Sequence, residues 1–503
     1  MKATEDLFDL IQSLSKTEKR YFKQHSKLHV IGERNSYLLL FDAIAAQKKY
    51  NEPQLLKRFQ GANFVKRFAA AKYFLYRQVL KTLRSYHSSI HSQTRDLIHE
   101  AEILYEKGFF KQARKFIFKA KQTARKYEMH WAMPELFRME EILFTQWDDN
   151  KSLNTLLEEK TTALTVQQNI QAYRDIYFRV AFLYFQYGKA REKKHLREME
   201  KIVSCRLMLD ESLADSSYSA LQFHYTWHIY WHAAADMTKA AYHAEKSIEI
   251  FHKNPDLISI NLMIYFANMS NLLSNVLMAK QYEKVQSLLA SLQNAQRFAK
   301  TQIQKTRYYF DYNNPMLGYL NETGQFPKAA ALIPAIAGEF EKHKERLSEI
   351  QKAVICATIS QSYFGGRQYD KSIYWLNRVR NEINLNTYQD IQSFLPVFYL
   401  IVNYEAGKNS LLPYLIQSVY RFLKKKERLY KFEIVLIHFL RTALPKVNTR
   451  KELIQEFKKL KTKILEFEKD PYEKNAFLYF DYISWLESKI ENRPFAEVVR
   501  QKA

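Results

Sequence analysis

The sequence predicts an all-α protein made of stacked helical hairpins, preceded by a small helical module. The first observation is a pattern that recurs every 40 to 45 residues from near Gly108 to the C-terminus. An aromatic residue is followed by a small or aliphatic residue three positions later, and by apolar residues four and seven positions further on. The clearest copies are Phe110, Ala113, Ile117 and Ala120; Tyr282, Val285, Leu289 and Leu292; Phe326, Ala329, Ile333 and Ile336; and Tyr369, Ser372, Leu376 and Val379. A period of this size is typical of hairpins that bury their apolar faces only by stacking on neighbours.

Composition supports the same fold class. The chain has 10 Gly and 11 Pro in 503 residues, about 2% each, where average proteins have roughly 7% and 5%. No Asn-Gly or Asp-Gly pair occurs, so the usual signals of β-hairpins are missing. Aromatic residues make up 15% of the chain, which suits helices that pack large rings between layers.

The pattern predicts about ten hairpins. The clear anchors are the small or aliphatic residues at Ala113, Ala240, Val285, Ala329 and Ser372, and weaker or later copies lie at Leu153, Leu196, Leu412, Leu453 and Val498. The string Tyr-Phe-Asp-Tyr occurs at 309–312 and again at 479–482. We interpret its return at nearly the same phase as further repetition.

Residues 1–95 are predicted to form a separate basic helical module, and residues 96–503 the array. Helices are predicted at Thr4–Leu14, Ser36–Lys49 and Ala62–Tyr86. Ser15 with Glu18 indicates a capping-box start for another helix. The polar stretch at 88–93 is the predicted junction with the array.

Two segments carry a family resemblance. In Leu104–Ala113, Gly108 is followed by Phe110 and Ala113, with Ala120 beyond. In Thr323–Ala329, Gly324 is followed by Phe326 and Ala329. Both segments resemble the tetratricopeptide repeat, although the period of that family is about 34 residues. The resemblance, over 96–503, implies a right-handed superhelix with helices about one turn longer than usual. It also implies a concave groove, lined by the first helix of each hairpin, that binds peptides or proteins.

The chain is strongly basic, and the excess is greatest in the N-terminal module. Lys and Arg outnumber Asp and Glu by 77 to 53, a net charge of +24, and residues 1–95 hold 18 against 7. Two helix faces are predicted to carry basic rows: Lys16, Lys19, Arg20, Lys23 and Lys27 on one, and Lys66, Arg67, Arg77, Lys81 and Arg84 on the other. Such rows favour an acidic partner, including nucleic acid. The alternative is an ordinary solvated face, which is also our interpretation of the run at 424–428.

Two polar rows mark the predicted array. Asn268, Asn271 and Asn275 share one helix face, where their amides could bind a peptide backbone; the resemblance implies this use most directly for Asn271. The alternative is an exposed polar face. His224, His228 and His232 are spaced four apart, so they could chelate a metal ion. The favoured interpretation is that they are hydrogen-bonded core histidines.

The sequence contains no recognised catalytic, phosphate-loop or calcium-loop motif, so we expect a non-enzymatic protein without cofactors. Cys205 and Cys356 have no partner cysteines that would indicate a disulfide framework or a zinc site. The segment Met1–Gln12 lacks an apolar core, and the longest apolar run, near 394–402, is too short for a membrane span. We therefore expect a cytoplasmic protein.

These observations predict a scaffold or adaptor that binds a peptide or protein in its groove, with the basic module as a second docking surface. One alternative is a nucleic-acid-binding protein that uses the basic helices. A second is a peptide-sensing regulator, by analogy of layout. The sequence does not identify the partner or the oligomeric state.

Overall fold

The computed structural model describes residues 5–28, 36–144, 151–385 and 388–503, without the side chains of 27, 28, 151 and 152. No strand occurs within these ranges, so the predicted all-α class is confirmed. The chain divides into two compact units, Met1–Lys121 and Gln122–Ala503. The predicted junction at 88–93 instead holds the start of a helix, whose N-cap is Ser89.

Unit 1 is a small bundle in which two of the predicted helix starts, at Ser36 and just after Ser15, are confirmed. The helix predicted from Ala62 begins later, at Phe68, after a 3-10 helix, and the predicted start at Thr4 lies outside the described residues. The Ser15 backbone N–H donates to Glu18 Oε2 at 2.6 Å, and the Glu18 N–H donates to Ser15 Oγ at 3.2 Å, which confirms the capping box. A short helix that begins after Asn51 was not predicted. The helices are α1 (Asp6–Ser13), α2 (Lys16–Leu28), α3 (Ser36–Ala45), α4 (Glu52–Arg58), α5 (Phe68–Tyr86), α6 (Ile90–Glu106) and α7 (Phe110–Lys126), which runs past the unit boundary.

The core of unit 1 lies between α1, α3 and α5. Ile11, Leu40, Phe41, Leu75 and Val79 are all fully buried there. The opposite side of α5 carries no part of this core and is open to solvent. Burial therefore fixes which face of α5 presents its charges.

Unit 2 is an array in which most helices pack on a helix one or two places along the chain. Short 3-10 helices, among them Glu466–Lys469 and Glu473–Leu478, join some of them. The α-helices are α8 (Met133–Phe144), α9 (Lys151–Tyr187), α10 (Lys193–Val203), α11 (Arg206–Leu209), α12 (Ser217–Ala233), α13 (Met237–Lys253), α14 (Asp256–Ile260), α15 (Leu262–Met278), α16 (Val285–Ala295), α17 (Gln302–Glu322), α18 (Phe326–His343), α19 (Glu349–Gly365), α20 (Tyr369–Glu382), α21 (Gln389–Glu405), α22 (Leu412–Lys425), α23 (Lys431–His438), α24 (Arg450–Leu465), α25 (Tyr482–Glu491) and α26 (Phe495–Lys502).

The predicted anchors lie in the first turn of the second helix of their hairpins. All five have 0% exposed surface: Ala113, Ala240, Val285, Ala329 and Ser372. A small side chain at this place lets the two helices approach closely. The buried hydroxyl of Ser372 has hydrogen-bond partners at this position. It lies 2.7 Å from Ser360 Oγ and donates to the Ser360 carbonyl at 2.9 Å.

A left-handed residue ends the first helix of each of these hairpins. Gly108 and Gly324 take this conformation, as the resemblance implied, but at the corresponding positions Ala235, Lys280 and Arg367 take it as well, with φ between 55° and 59°. The turns follow the Schellman pattern. For example, the Lys280 N–H donates to Leu277 O and the Gln281 N–H donates to Val276 O, both at 2.9 Å. The repeat is therefore more regular in backbone than in sequence.

Replacing Lys280 with glycine is expected to stabilise the protein by about 1 kcal/mol, because glycine has no Cβ to strain the left-handed backbone. Lys305→Gly is the matched control, since Lys305 is exposed within α17 and glycine there costs about 1 kcal/mol. Urea unfolding followed by circular dichroism at 222 nm measures both. Equal destabilisation by the two substitutions would contradict the turn geometry.

Two details of the predicted repetition are wrong. Leu153 does not mark a separate hairpin, because α9 is a single helix of 37 residues that packs on α8 near its start and on α10 near its end. The two Tyr-Phe-Asp-Tyr strings are not equivalent either. Residues 309–312 lie within α17, whereas 479–482 leave a 3-10 helix and enter α25. The second string therefore repeats a composition without repeating a structure.

Unit 2 closes on itself. The segment Gly188–Arg191, which follows α9, contacts Asp390 of α21, Glu433 of α23 and the 473–479 stretch before α25. These partners are separated by 201 to 290 residues in sequence. Because a series of packed helices runs from α9 to α21, and α21 packs on α9 again, the array curves through a closed turn.

Candidate functional site

The basic row on α5 is exposed. Arg77, Lys81 and Arg84 lie on the side opposite the core of unit 1, and they line an open hollow of about 380 Å³ together with Gln78 and Leu80. Among the described residues, none of these three cations forms an ion pair. Lys66 and Arg67 are also exposed, in the 3-10 helix Asn63–Arg67 that precedes α5.

The basic row on α2 lies next to the end of α5. The ring centroids of Tyr21 and Tyr86 are 5.0 Å apart, and His87 Nε2 lies 2.6 Å from Glu18 Oε1. The structure therefore places the predicted rows on neighbouring helices. Lys16 and Arg20 are exposed, Lys19 is half-buried, and Lys23 pairs with Asp42 at 2.6 Å. The Lys27 side chain lies outside the described residues.

Sequence reasoning missed a third basic helix. The 17 residues of α7 include seven Lys or Arg and no Asp or Glu. They are Lys111, Arg114, Lys115, Lys119, Lys121, Arg125 and Lys126. Counting charge helix by helix, rather than over the first 95 residues, would have found this signal.

Two of the three predicted groove asparagines are used inside the protein. Asn275 has 0% exposed surface, and its Nδ2 lies 3.1 Å from His228 Nδ1 on α12. Asn268 is buried and donates to the Ile264 carbonyl at 3.1 Å. Asn271 is half-buried. In this conformation, the predicted contact with a peptide is therefore open to Asn271 alone.

The three spaced histidines point to different partners. His224 lies 3.1 Å from His243 and 3.2 Å from Glu211, and the Tyr184 hydroxyl lies 2.9 Å from His232 Nδ1. Burial lowers the pKa of His228 to about 4, so this imidazole is neutral at neutral pH. The described residues contain no group of three side chains placed to hold a metal ion. The metal-binding alternative therefore has no geometric support.

The most concentrated polar chemistry in unit 2 lies where the array closes. We call it the closure site and define it by Lys189 and Arg191 with their partners Asp390, Glu433, Glu473, Asn475, Tyr430 and Tyr479. Arg191 donates from Nη1 and Nη2 to the two carboxylate oxygens of Glu433, both at 2.9 Å, and from Nη2 to Glu473 at 3.1 Å. Bidentate pairing of this kind is the strongest that arginine makes.

Lys189 occupies the other half of the closure site. Its Nζ donates to the Tyr479 hydroxyl at 3.1 Å and lies 4.4 Å from the centre of that ring. The Tyr479 hydroxyl in turn donates to Asp390, whose Oδ2 accepts the Lys189 backbone N–H at 2.8 Å. Burial lowers the pKa of Lys189 to about 8, and the Asp390 carboxylate opposes that shift.

The closure site is buried, and some of its polar atoms have no partner among the described residues. Arg191, Glu433 and Glu473 are each at most 7% exposed. Arg191 Nε and Asn475 Oδ1 are buried without a hydrogen-bond partner among the described residues. The arrangement holds the two cations of Lys189 and Arg191.

Sequence reasoning missed the closure site because its parts come from four separate stretches of the chain. The only local signal is Gly188, which has φ +71°; a Cβ there would lie 2.0 Å from Asp390 Oδ1.

No protein-family model matches the chain, and the search of curated proteins found no match. Within the described ranges, every helix is too short or too polar to cross a bilayer.

Proposed function

We propose that the protein is a non-enzymatic adaptor. Its helical array, of right-handed tetratricopeptide-like form, would bind a protein or peptide segment, and its basic N-terminal surface would dock on an acidic partner. The observation that carries the proposal is the row of exposed cations at Arg77, Lys81 and Arg84, which form no ion pair within the described ranges. We also propose a cytoplasmic location, which the free thiols of Cys205 and Cys356 support.

The charge on α5 differs from that on an ordinary solvated helix. On α18 and just after it, Lys342 pairs with Glu339 at 2.5 Å and Lys344 pairs with Glu341 at 2.9 Å. By contrast, Arg77, Lys81 and Arg84 lie within two helical turns, a span of about 10 Å, and in the described part of the chain no carboxylate pairs with them. An acidic partner would relieve their mutual repulsion and gain three charge-assisted contacts.

The array already holds a non-helical stretch of its own chain at Tyr479 and Phe480, which supports the peptide-binding half of the proposal. Gln361 Nε2 on α19 donates to the Tyr479 carbonyl at 2.6 Å. The Phe480 ring packs on Phe364 and Phe398, with centroids 5.3 and 4.9 Å apart. Proteins commonly hold a peptide with a side-chain amide that donates to a backbone carbonyl, combined with aromatic packing.

Charge reversal tests the docking surface. Arg77→Glu, Lys81→Glu and Arg84→Glu together are expected to weaken binding of a fluorescent, Glu-rich 12-residue peptide at least about tenfold, because opposed charges are replaced by like charges. The matched control reverses three exposed lysines, Lys424, Lys425 and Lys426, and so changes the net charge equally. Fluorescence anisotropy at fixed ionic strength measures both variants. Equal losses in the two would reduce the effect to net charge and refute the docking surface.

Nucleic acid is the second candidate partner, and Tyr73 favours it. This side chain is 56% exposed and lies one turn before Arg77 on the same side of α5, where a base could stack on it. Binding of a 30-nucleotide RNA should then weaken log-linearly with salt. The triple reversal should reduce that slope by about 2, at roughly 0.7 per lost phosphate contact. A slope that does not change would exclude this candidate.

A further inference from the structure

We propose that the closure site is a recognition site for a basic Lys-x-Arg segment, now occupied in cis by Lys189 and Arg191. The inference rests on the proposed peptide-binding function of the array, and it adds the chemistry of the partner. It is independent of the basic row on α5.

The receptor half of the site consists of the partners of Lys189 and Arg191. It provides contacts for two cations that are two residues apart in sequence. The carboxylates of Glu433 and Glu473 pair with Arg191, and that of Asp390 accepts the Lys189 backbone N–H and the Tyr479 hydroxyl. Each cation also faces an aromatic ring. Arg191 Cζ lies 4.4 Å from the centre of the Tyr430 ring, and Lys189 Nζ lies at the same distance from that of Tyr479. Carboxylates combined with tyrosine faces form a cage for lysine and arginine side chains.

The receptor half also forms hydrogen bonds with the backbone of the segment. The Lys189 N–H donates to Asp390 Oδ2 at 2.8 Å, and Asn475 Nδ2 donates to the Ala190 carbonyl at 2.6 Å. These two contacts fix the register, so that the side chains at both ends of the Lys-x-Arg triplet enter the same site. Recognition of main chain and alternate side chains together is what a peptide site requires.

The occupant is a connecting segment rather than part of a helix. Gly188–Glu192 links α9 to α10 and carries no helical hydrogen-bond ladder of its own. Around it, the Nε atoms of Arg191 and Arg428 and the Asn475 Oδ1 atom are buried without partners among the described residues. Unpaired buried polar atoms destabilise the closed form, so a second Lys-x-Arg segment can compete with the first.

The test uses the full-length protein with Lys189→Ala and Arg191→Ala, whose fold is checked by circular dichroism. The probe is a fluorescent peptide with the sequence of residues 186–194, Gln-Tyr-Gly-Lys-Ala-Arg-Glu-Lys-Lys. The variant should bind it at least tenfold more tightly than the wild type does, because the tethered segment no longer competes. Adding Glu433→Gln and Glu473→Gln should abolish that gain. A peptide with alanine in place of the Lys-x-Arg pair should not bind.

A folded variant that binds both peptides equally would overturn the proposal. Should the double variant not fold, hydrogen exchange of the wild type decides the question. An excess of the basic peptide should then speed exchange of the Lys189 and Arg191 amides at least threefold, while the alanine peptide leaves it unchanged. Equal exchange with both peptides would again overturn the proposal. Loss of acidic-peptide binding in the α5 reversal would not bear on this result, so the two proposals fail separately.

Discussion

Arg191→Met is expected to destabilise unit 2 by about 3 to 5 kcal/mol. The substitution leaves the buried carboxylates of Glu433 and Glu473 side by side without their shared cation, and an uncompensated buried charge costs this much. The measurement is the free energy of unfolding from urea titrations of the full-length protein. Replacing all three groups, with Glu433→Leu and Glu473→Met added to Arg191→Met, should recover part of the loss, since an apolar triad removes the unpaired charge. The recovery is incomplete because the Lys431 and Phe432 N–H groups, which donate to Glu473 at 3.1 Å, lose that acceptor.

The matched control for this prediction is an exposed ion pair in the same unit. Lys284 lies 2.7 Å from Glu245, and both side chains are more than a third exposed. Lys284→Met should therefore cost no more than about 1 kcal/mol. If Arg191→Met cost as little as this control, Arg191 would not be buried between the two carboxylates.

Gly188→Ala is expected to have the second largest effect, a loss of about 3 kcal/mol or more. A left-handed backbone costs a non-glycine residue about 1 to 2 kcal/mol. In addition, the new Cβ would lie 2.0 Å from Asp390 Oδ1. Asp390 would have to move, which would remove the bond it accepts from the Lys189 N–H, and overpacking of this kind costs a further 1 to 3 kcal/mol or so.

Gly407→Ala separates the cost of the left-handed backbone from the cost of the overlap with Asp390. Gly407 has φ +69°, and a Cβ there would meet nothing within 4 Å, so its substitution should cost only the conformational 1 to 2 kcal/mol or so. Urea unfolding of the two variants side by side gives the difference. Equal losses would mean that Gly188 does not lie against Asp390.

The fold class was predictable because its signal is local and repeated. The small residue that lets two helices meet must recur wherever a hairpin recurs, so Ala113, Ala240 and Ala329 mark the array in the sequence. The turns were less visible. Glycine predicts a left-handed turn, but Lys280 and Arg367 form the same turn at a modest energetic cost. Lysine and arginine do not predict such a turn.

The polar rows were visible, but their partners were not. Asparagine is unfavourable within a helix, so Asn268 and Asn275 were predicted to have a partner outside their helix, a bound peptide. Asn268 instead donates to the Ile264 carbonyl of its own helix. For Asn275 that partner is His228, on a neighbouring helix 47 residues away in sequence. A periodicity argument identifies the face on which a side chain lies, whereas the element that covers that face depends on tertiary packing.

The closure site could not be predicted from sequence periodicity. Lys189 and Arg191 are two among 77 basic residues, and Glu433 and Glu473 follow them by 242 and 282 positions. Their meeting depends on the curvature that every intervening helix pair adds. The same curvature forms the proposed recognition site for a basic segment within unit 2. This site is far in sequence from the basic row on α5.

The most direct test of the closed array is a double-mutant cycle between Arg191 and Glu433. Arg191→Met, Glu433→Leu and the double variant are unfolded in urea under identical conditions. The cycle isolates the interaction between the two side chains. The closed array predicts a coupling free energy of about 2 kcal/mol or more, with the double variant more stable than either single one. Losses that simply add, with a coupling below about 0.5 kcal/mol, would show that the two ends of the array do not meet.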